Sequence, residues 1–133
     1  MSNLATVQSL YAAFRRGDIP AILALLAEDV EWEYGLTSTD VPWLQPRRGR
    51  DAAAGFFQAL AAIDFHRLDA TTFLESGPVV VVLLQVEATI KATGRRISEA
   101  DEVHIWHFDP TGQVSRFRHR ADTYQQHLAF HGQ

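Results

Sequence analysis

No cysteine occurs among the 133 residues, so disulfides, thiolate chemistry and cysteine metal sites are excluded from the start. Positive charge is also scarce: 12 Lys and Arg stand against 16 Asp and Glu, a formal net charge of -4 with a pI near 5.8. Phosphate binding needs clustered positive potential, so nucleic acid is not an expected partner. Long hydrophobic runs are missing as well. The longest, Pro78 to Leu84, has the length of a strand, so no membrane span is expected. The opening MSNLATVQSLYAAF lacks the charged head and unbroken apolar run of a signal peptide, and a cytoplasmic location is the expectation. There is no repeat, low-complexity tract or linker, so residues 1–133 are expected to form a single domain.

What is present is a chain with 47% hydrophobic residues, enough for one substantial core. Leu4, Val7, Leu10, Tyr11 and Phe14 recur at three-to-four spacing and describe one apolar stripe on a helix, ended by Arg15, Arg16 and Gly17. Asp18 is a cap for a second, shorter helix carrying Ile22, Leu23, Leu25 and Leu26. DVEWEY then alternates, with acids at 29, 31 and 33 against Val30, Trp32 and Tyr34. This predicts a strand with the acids on its wet face. Gly35 to Arg50 reads as a long loop, with its arginines 47, 48 and 50 solvated. A loop of that length suits a lid or wall. Asp51 opens a third helix packed through Ala52, Phe56, Phe57 and Leu60.

Three runs follow, Phe65 to Glu75, Pro78 to Lys91 and Ile97 to Phe108, with turns between them. The turn Asp109-Pro110-Thr111-Gly112 then folds the chain into a hairpin whose return strand ends FRHRADT. Successive strand side chains point to opposite faces, so Glu102, His104, Trp106 and Phe108 share one face. On the return strand Arg116, Arg118 and Arg120 cannot all be desolvated cheaply, so Phe117, His119 and Ala121 are expected to point inward beside them. Asp122 opens a last short helix, with Gln125 completing a capping box. VVVVLL is apolar on both faces and predicts a doubly covered strand end. The fold class is α+β: a cone-shaped, curved antiparallel sheet packed on three N-terminal helices, with a short C-terminal helix.

The order of elements, the GDIPAILALLAEDVEWEY segment, the PRRGRDAAAGFF helix start and the FRHRADT ending together resemble the nuclear transport factor 2-like superfamily, and within it the SnoaL-like and ketosteroid-isomerase-related proteins. The resemblance covers nearly the whole chain and implies a cone pocket. It leaves the reaction open, since one such fold hosts many chemistries. In ketosteroid isomerases an Asp base works with a Tyr and a protonated Asp; Tyr34, Leu10 and His104 stand at the matching positions here, so that mechanism is disfavoured. In SnoaL-like cyclases an Asp near the end of the last strand acts as acid or base. Asp122 matches it, with His104 or Glu102 at the assisting position.

The residues leave alternatives open. His104 and His119 are acid–base candidates or buried structural histidines. Asp122 is a base or only a helix cap. Glu102, if inward, needs His104 as partner, whereas a strand irregularity would turn it outward. Tyr34 is placed with the catalytic candidates His104, His119 and Asp122. Trp32, Trp43, Trp106, Glu102, Phe117, Phe57 and Tyr11 are the expected substrate-binding wall for a small apolar or polycyclic molecule. His104, His119 and Asp122 offer two nitrogens and one oxygen without tight spacing, and no metal and no cofactor are expected. The outer sheet face mixes aliphatics with arginines and suits a homodimer. The functional expectation is a cofactor-independent isomerase, cyclase, dehydratase or hydrolase; the alternative is a non-catalytic binding or assembly domain.

Overall fold

The first helix, α1 (Asn3–Arg15), starts where the Ser2 hydroxyl accepts from the Ala5 amide at 3.0 Å. It buries Val7, Leu10 and Tyr11, the expected stripe, and stops at Gly17, whose φ of 72° only glycine adopts without strain. A computed structural model describes residues 1–133. Asp18 caps α2 (Ile19–Ala24) through the Ala21 amide at 3.1 Å. The chain then enters β1 (Leu26–Trp32), so Leu26 belongs to the strand and not to the helix.

The stretch after β1 is not a free loop. A two-residue strand, β2 (Arg47–Arg48), pairs with the end of β1 and leads into α3 (Arg50–Ala59). The arginines expected in solvent mostly fasten this segment. Arg47 donates to the carbonyls of Ala52 and Pro42, and Arg50 Nε donates to Leu26 O at 2.8 Å; Arg48 alone is exposed, beside Glu31. Guanidinium groups have enough donors to replace water on exposed carbonyls, which is why a wet-looking sequence is held down.

Four strands follow: β3 (Ile63–Ser76), β4 (Val79–Ile90), β5 (Arg96–Phe108) and β6 (Val114–Arg120). The chain closes with α4 (Thr123–Phe130). The sheet order is β2-β1-β6-β5-β4-β3. β3 to β6 form the expected antiparallel meander, but β1 lies parallel to β6, with Trp32 opposite Phe117. No tight hairpin joins these two strands, so nothing imposes the antiparallel direction on them. The sheet is curved and unclosed, and its concave side packs on the N-terminal helices.

On β4 the inward set Val80, Val82, Leu84, Val86, Ala88 and Ile90 is buried, each large side chain worth about 1.5–3 kcal/mol of burial. The other face, Val79, Val81 and Leu83, is only half covered, and neighbouring Leu74 is 56% exposed. The doubly covered strand end expected from VVVVLL is thus not completed by this chain. Helix-borne apolar residues reach only the concave side.

Candidate functional site

The site begins with a defect in β5. Opposite Leu84–Val86 of β4, two residues apart, β5 places Glu99 and Glu102, three apart, and within that extra residue Asp101 takes a φ of 59°. Such a bulge shifts the side-chain phase by one. Ile97 points inward before it; Glu102, Trp106 and Phe108 are buried after it. The sequence leaves two alternatives for Glu102, inward beside His104 or turned outward by a strand irregularity. The irregularity exists, but it precedes Glu102 and puts its carboxylate on the same face as His104.

The hairpin turn sets the partner. Asp109 accepts from the Thr111 and Gln113 amides at 2.9 and 3.1 Å, and Gly112 closes the turn at a φ of 87°. The register then pairs Trp106 with Phe117 and His104 with His119, ring centroids 4.4 and 6.2 Å apart. These residues line a cavity of about 100 Å³ between the sheet, α1, α3 and the loop bearing Trp43. Tyr11, Trp32, Trp43, Phe57, Glu102, His104, Trp106, Phe117 and His119, all expected there, line it. Apart from Glu102, His104, His119 and Gln126, every lining residue is apolar or aromatic.

Tyr34 and Asp122 are not brought to it. Glu33 takes a φ of 59°, so the alternation of β1 stops at Trp32. Glu33 turns inward and becomes fully buried, while Tyr34 leaves for the outer face. There its hydroxyl bonds His107 Nε2 at 2.9 Å and its ring lies 3.9 Å under the Arg116 guanidinium. The alternation had placed these two residues the other way round. Asp122 is exposed and caps α4 through the Gln125 amide at 3.0 Å, its own amide donating to Glu99. His104, His119 and Asp122 therefore do not converge as a ligand set. Gln125, expected in a capping box, reaches across to the backbone of Ser98.

Glu33 is a residue of the candidate site that the sequence reading missed. Its Oε1 accepts the backbone N–H of His119 at 3.1 Å and bonds His119 Nδ1 at 2.6 Å. Only the parallel register of β1 on β6, absent from any local pattern, brings the two together. Gln126, whose Oε1 accepts Trp43 Nε1–H at 2.8 Å, is a second lining residue that no motif announced.

A second set of bonds runs through His104. Trp106 Nε1–H, which can only donate, reaches Tyr11 Oη at 3.0 Å. Tyr11 Oη lies 2.6 Å from His104 Nδ1, and His104 Nε2 lies 2.9 Å from Glu102 Oε2. The order of donors follows: Trp106 to Tyr11, Tyr11 O–H to Nδ1, and Nε2–H to the carboxylate, an assignment made from the network. Both nitrogens of His104 are occupied. Glu102 Oε1 and His119 Nε2 have no protein partner, and neither do Trp32 Nε1 and Gln126 Nε2 on other lining residues; of these four atoms only the first two belong to groups that can exchange a proton.

A family profile for the SnoaL-like domain matches residues 7–117. The chain belongs to the SnoaL-like family. Among solved structures, an NTF2-like protein of unknown function from Burkholderia pseudomallei K96243 is 31% identical, with 98% of each chain covered and a TM-score of 0.81. An NTF2-like protein from Burkholderia xenovorans LB400 is 26% identical over 96% of this chain and 95% of its own, at a TM-score of 0.83. TerC, co-crystallised with polyporic acid, is 26% identical over 97% of this chain and 98% of its own, at a TM-score of 0.73. No protein of curated function matches.

In this SnoaL-like chain, two groups at the cavity shift in opposite senses, Glu102 downward and His119 upward. Burial opposes the ionisation of Glu102, but the His104 hydrogen bond and the adjoining imidazoles outweigh it and hold the carboxyl below its usual range. Burial likewise opposes the charged form of His119, yet the Glu33 bond and charge, with Glu102 and Glu99 further off, raise it above an ordinary histidine. Burial drives the Tyr11 hydroxyl upward, so it keeps its proton. Groups pushed apart in this way divide into a base and an acid: carboxylate at Glu102, imidazolium at His119.

These shifts give the SnoaL-like domain a stability that depends on pH. His119 is raised, so its contribution is complete below about pH 6.5 and is lost as pH climbs through its folded value. His107 is lowered by burial and by Arg116, so the folded state resists its protonation and stability falls below about pH 6.5. Glu102 adds a loss at still lower pH, below about 4.3. Unfolding free energy from urea titrations is expected to peak near pH 6.5. The alkaline decline should flatten in His119→Gln; an equal decline in that variant would remove His119 as its source.

Proposed function

We propose that the cavity holds a small, ring-bearing, mostly apolar molecule and moves a proton on it, with Glu102 Oε1 as base and His119 Nε2–H as acid. The carrying observation is that a carboxylate oxygen and an imidazole nitrogen, Glu102 Oε1 and His119 Nε2, have no protein partner on residues lining a mostly apolar, aromatic cavity. A carboxylate can take a proton from carbon while an imidazolium donates to the oxygen that gains charge, the step shared by isomerisation, cyclisation and dehydration. The reading asks for no cofactor, because protein side chains carry the proton. The relative crystallised with polyporic acid supports a ring-bearing guest.

The chain's three tryptophans, Trp32, Trp43 and Trp106, all line the cavity, so intrinsic fluorescence reports on its occupancy. Polyporic acid is expected to quench that fluorescence saturably. An enolisable aryl-fused cyclic ketone is expected to take up deuterium from D₂O at its α-carbon faster with the protein than with buffer. A binding-only reading is favoured by one observation, that Glu102 and His119 are each already held by an internal bond, to His104 and to Glu33. Quenching without exchange would select it, and absence of both would end the cavity reading.

The homodimer reading belongs to the same proposal. Half-covered Val79, Val81, Leu83, Val103 and Ile105 share the outer face with Arg118 and Arg120. A self-complementary face of this kind suits a two-fold pair. Sedimentation equilibrium is expected to give twice the chain mass, and Leu83→Glu to give the chain mass.

A further inference from the structure

Outside the cavity, three side chains from distant parts of the chain meet at the surface. His127 and His131 lie one turn apart at the end of α4, ring centroids 4.5 Å apart. Asp40, from the segment between β1 and β2, turns one oxygen to each: Oδ1 lies 3.7 Å from His127 Nδ1 and Oδ2 lies 2.7 Å from His131 Nε2. All three ligand atoms fall within 4.8 Å of one another. Ligands around tetrahedral Zn²⁺ sit roughly 3.3 Å apart at bond lengths of ~2.0–2.1 Å, a spacing that these atoms bracket. Histidines at i and i+4 present their nitrogens on one helical face, and exposure of all three residues lets an ion enter.

We infer that Asp40, His127 and His131 form a binding site for a divalent transition ion of the Zn²⁺ class that pins the Asp40 segment to α4. Two imidazole nitrogens and one carboxylate are a donor set for Zn²⁺, Ni²⁺ or Cu²⁺ and a poor one for Mg²⁺ or Ca²⁺. Three protein ligands leave one position for water. The consequence for the fold follows from what the two segments carry. Trp43, three residues beyond Asp40, bonds Gln126 of α4 and stacks edge-on against Phe130 at 5.8 Å, and both Trp43 and Gln126 line the cavity. An ion at Asp40 therefore locks one wall of the cavity from outside, without touching the guest. The same geometry without an ion would be a surface ion pair between Asp40 and His131. The two differ in their response to pH, because an ion pair requires protonated histidine and a bound metal ion requires it neutral.

The test is calorimetric titration of ZnCl₂ into the full chain, untagged and freed of metal with EDTA, at pH 6 and pH 8. One ion per chain is expected, bound more tightly at pH 8, with the melting temperature raised by Zn²⁺. Asp40→Asn and His131→Gln are each expected to weaken binding at least tenfold and to abolish the thermal shift. No binding in the parent chain overturns the site. Binding lost in His131→Gln but unchanged in Asp40→Asn overturns the clamp, since the ion would then sit on the helix alone.

Discussion

Glu102→Gln is expected to slow deuterium uptake into the bound ketone by about 10²–10⁴-fold, the range typical of losing a positioned general base. Polyporic acid quenching should stay within a few-fold of the parent chain. The substitution keeps the hydrogen bond to His104. A glutamine carbonyl at the Oε2 position still accepts His104 Nε2–H, so the Trp106–Tyr11–His104 series has no reason to come apart. The volume of the cavity is unchanged. What is lost is the ability to take a proton and the negative charge that helps keep His119 protonated. The alkaline limb of the exchange rate should therefore also move to lower pH. An exchange rate within tenfold of the parent would take Glu102 out of the base role and leave His119 as the group to pursue.

The contrast between Glu102 and Glu33 also shows which parts of the site can be read along a chain. The hairpin was legible because its information is local. A turn with its own hydrogen-bond logic at Asp109–Gly112 fixes the register, and three alternating arginines on β6 declare the outer face by their cost of burial. His104, His119, Trp106 and Phe117 followed from those two facts. The stripe of α1 and the caps at Asp18 and Asp122 were legible for the same reason.

Alternation, however, presupposes an unbroken period of two. Glu33 and Asp101, each at a φ of 59°, interrupt it. One interruption exchanged the faces of Glu33 and Tyr34; the other left the face of Glu102 undecided until the register was known. Neither residue is glycine, so nothing in the residue types marks the break. The Asp40–His127–His131 cluster was hidden differently. The helical spacing of the histidines stands in the sequence, but their acidic partner lies 87 positions before His127 and belongs to a segment read as an open loop.

One interruption falls at Glu33, which holds His119, and the other falls beside Glu102, the proposed base; strain of that kind persists where the surroundings over-determine it. Glu33→Ala should accordingly be among the most destabilising single substitutions. It strips the acceptor from the His119 backbone N–H and from Nδ1, and two buried donors left without partners cost about 1–3 kcal/mol each. Relief comes from removing Glu33 Oε2, itself buried with no partner, so the net expectation is about 3 kcal/mol. For a domain of this size that corresponds to a fall of roughly 10 °C in melting temperature. Glu33→Gly separates backbone from side chain. It loses the same hydrogen bonds but accepts the positive φ, so it should be more stable than Glu33→Ala by about 1 kcal/mol. Urea denaturation followed by circular dichroism reads both numbers. Equal stabilities for Ala and Gly would mean that the backbone at Glu33 stores no strain, and a loss below about 1 kcal/mol in both would mean that the Glu33–His119 pair is not held as tightly as its geometry states.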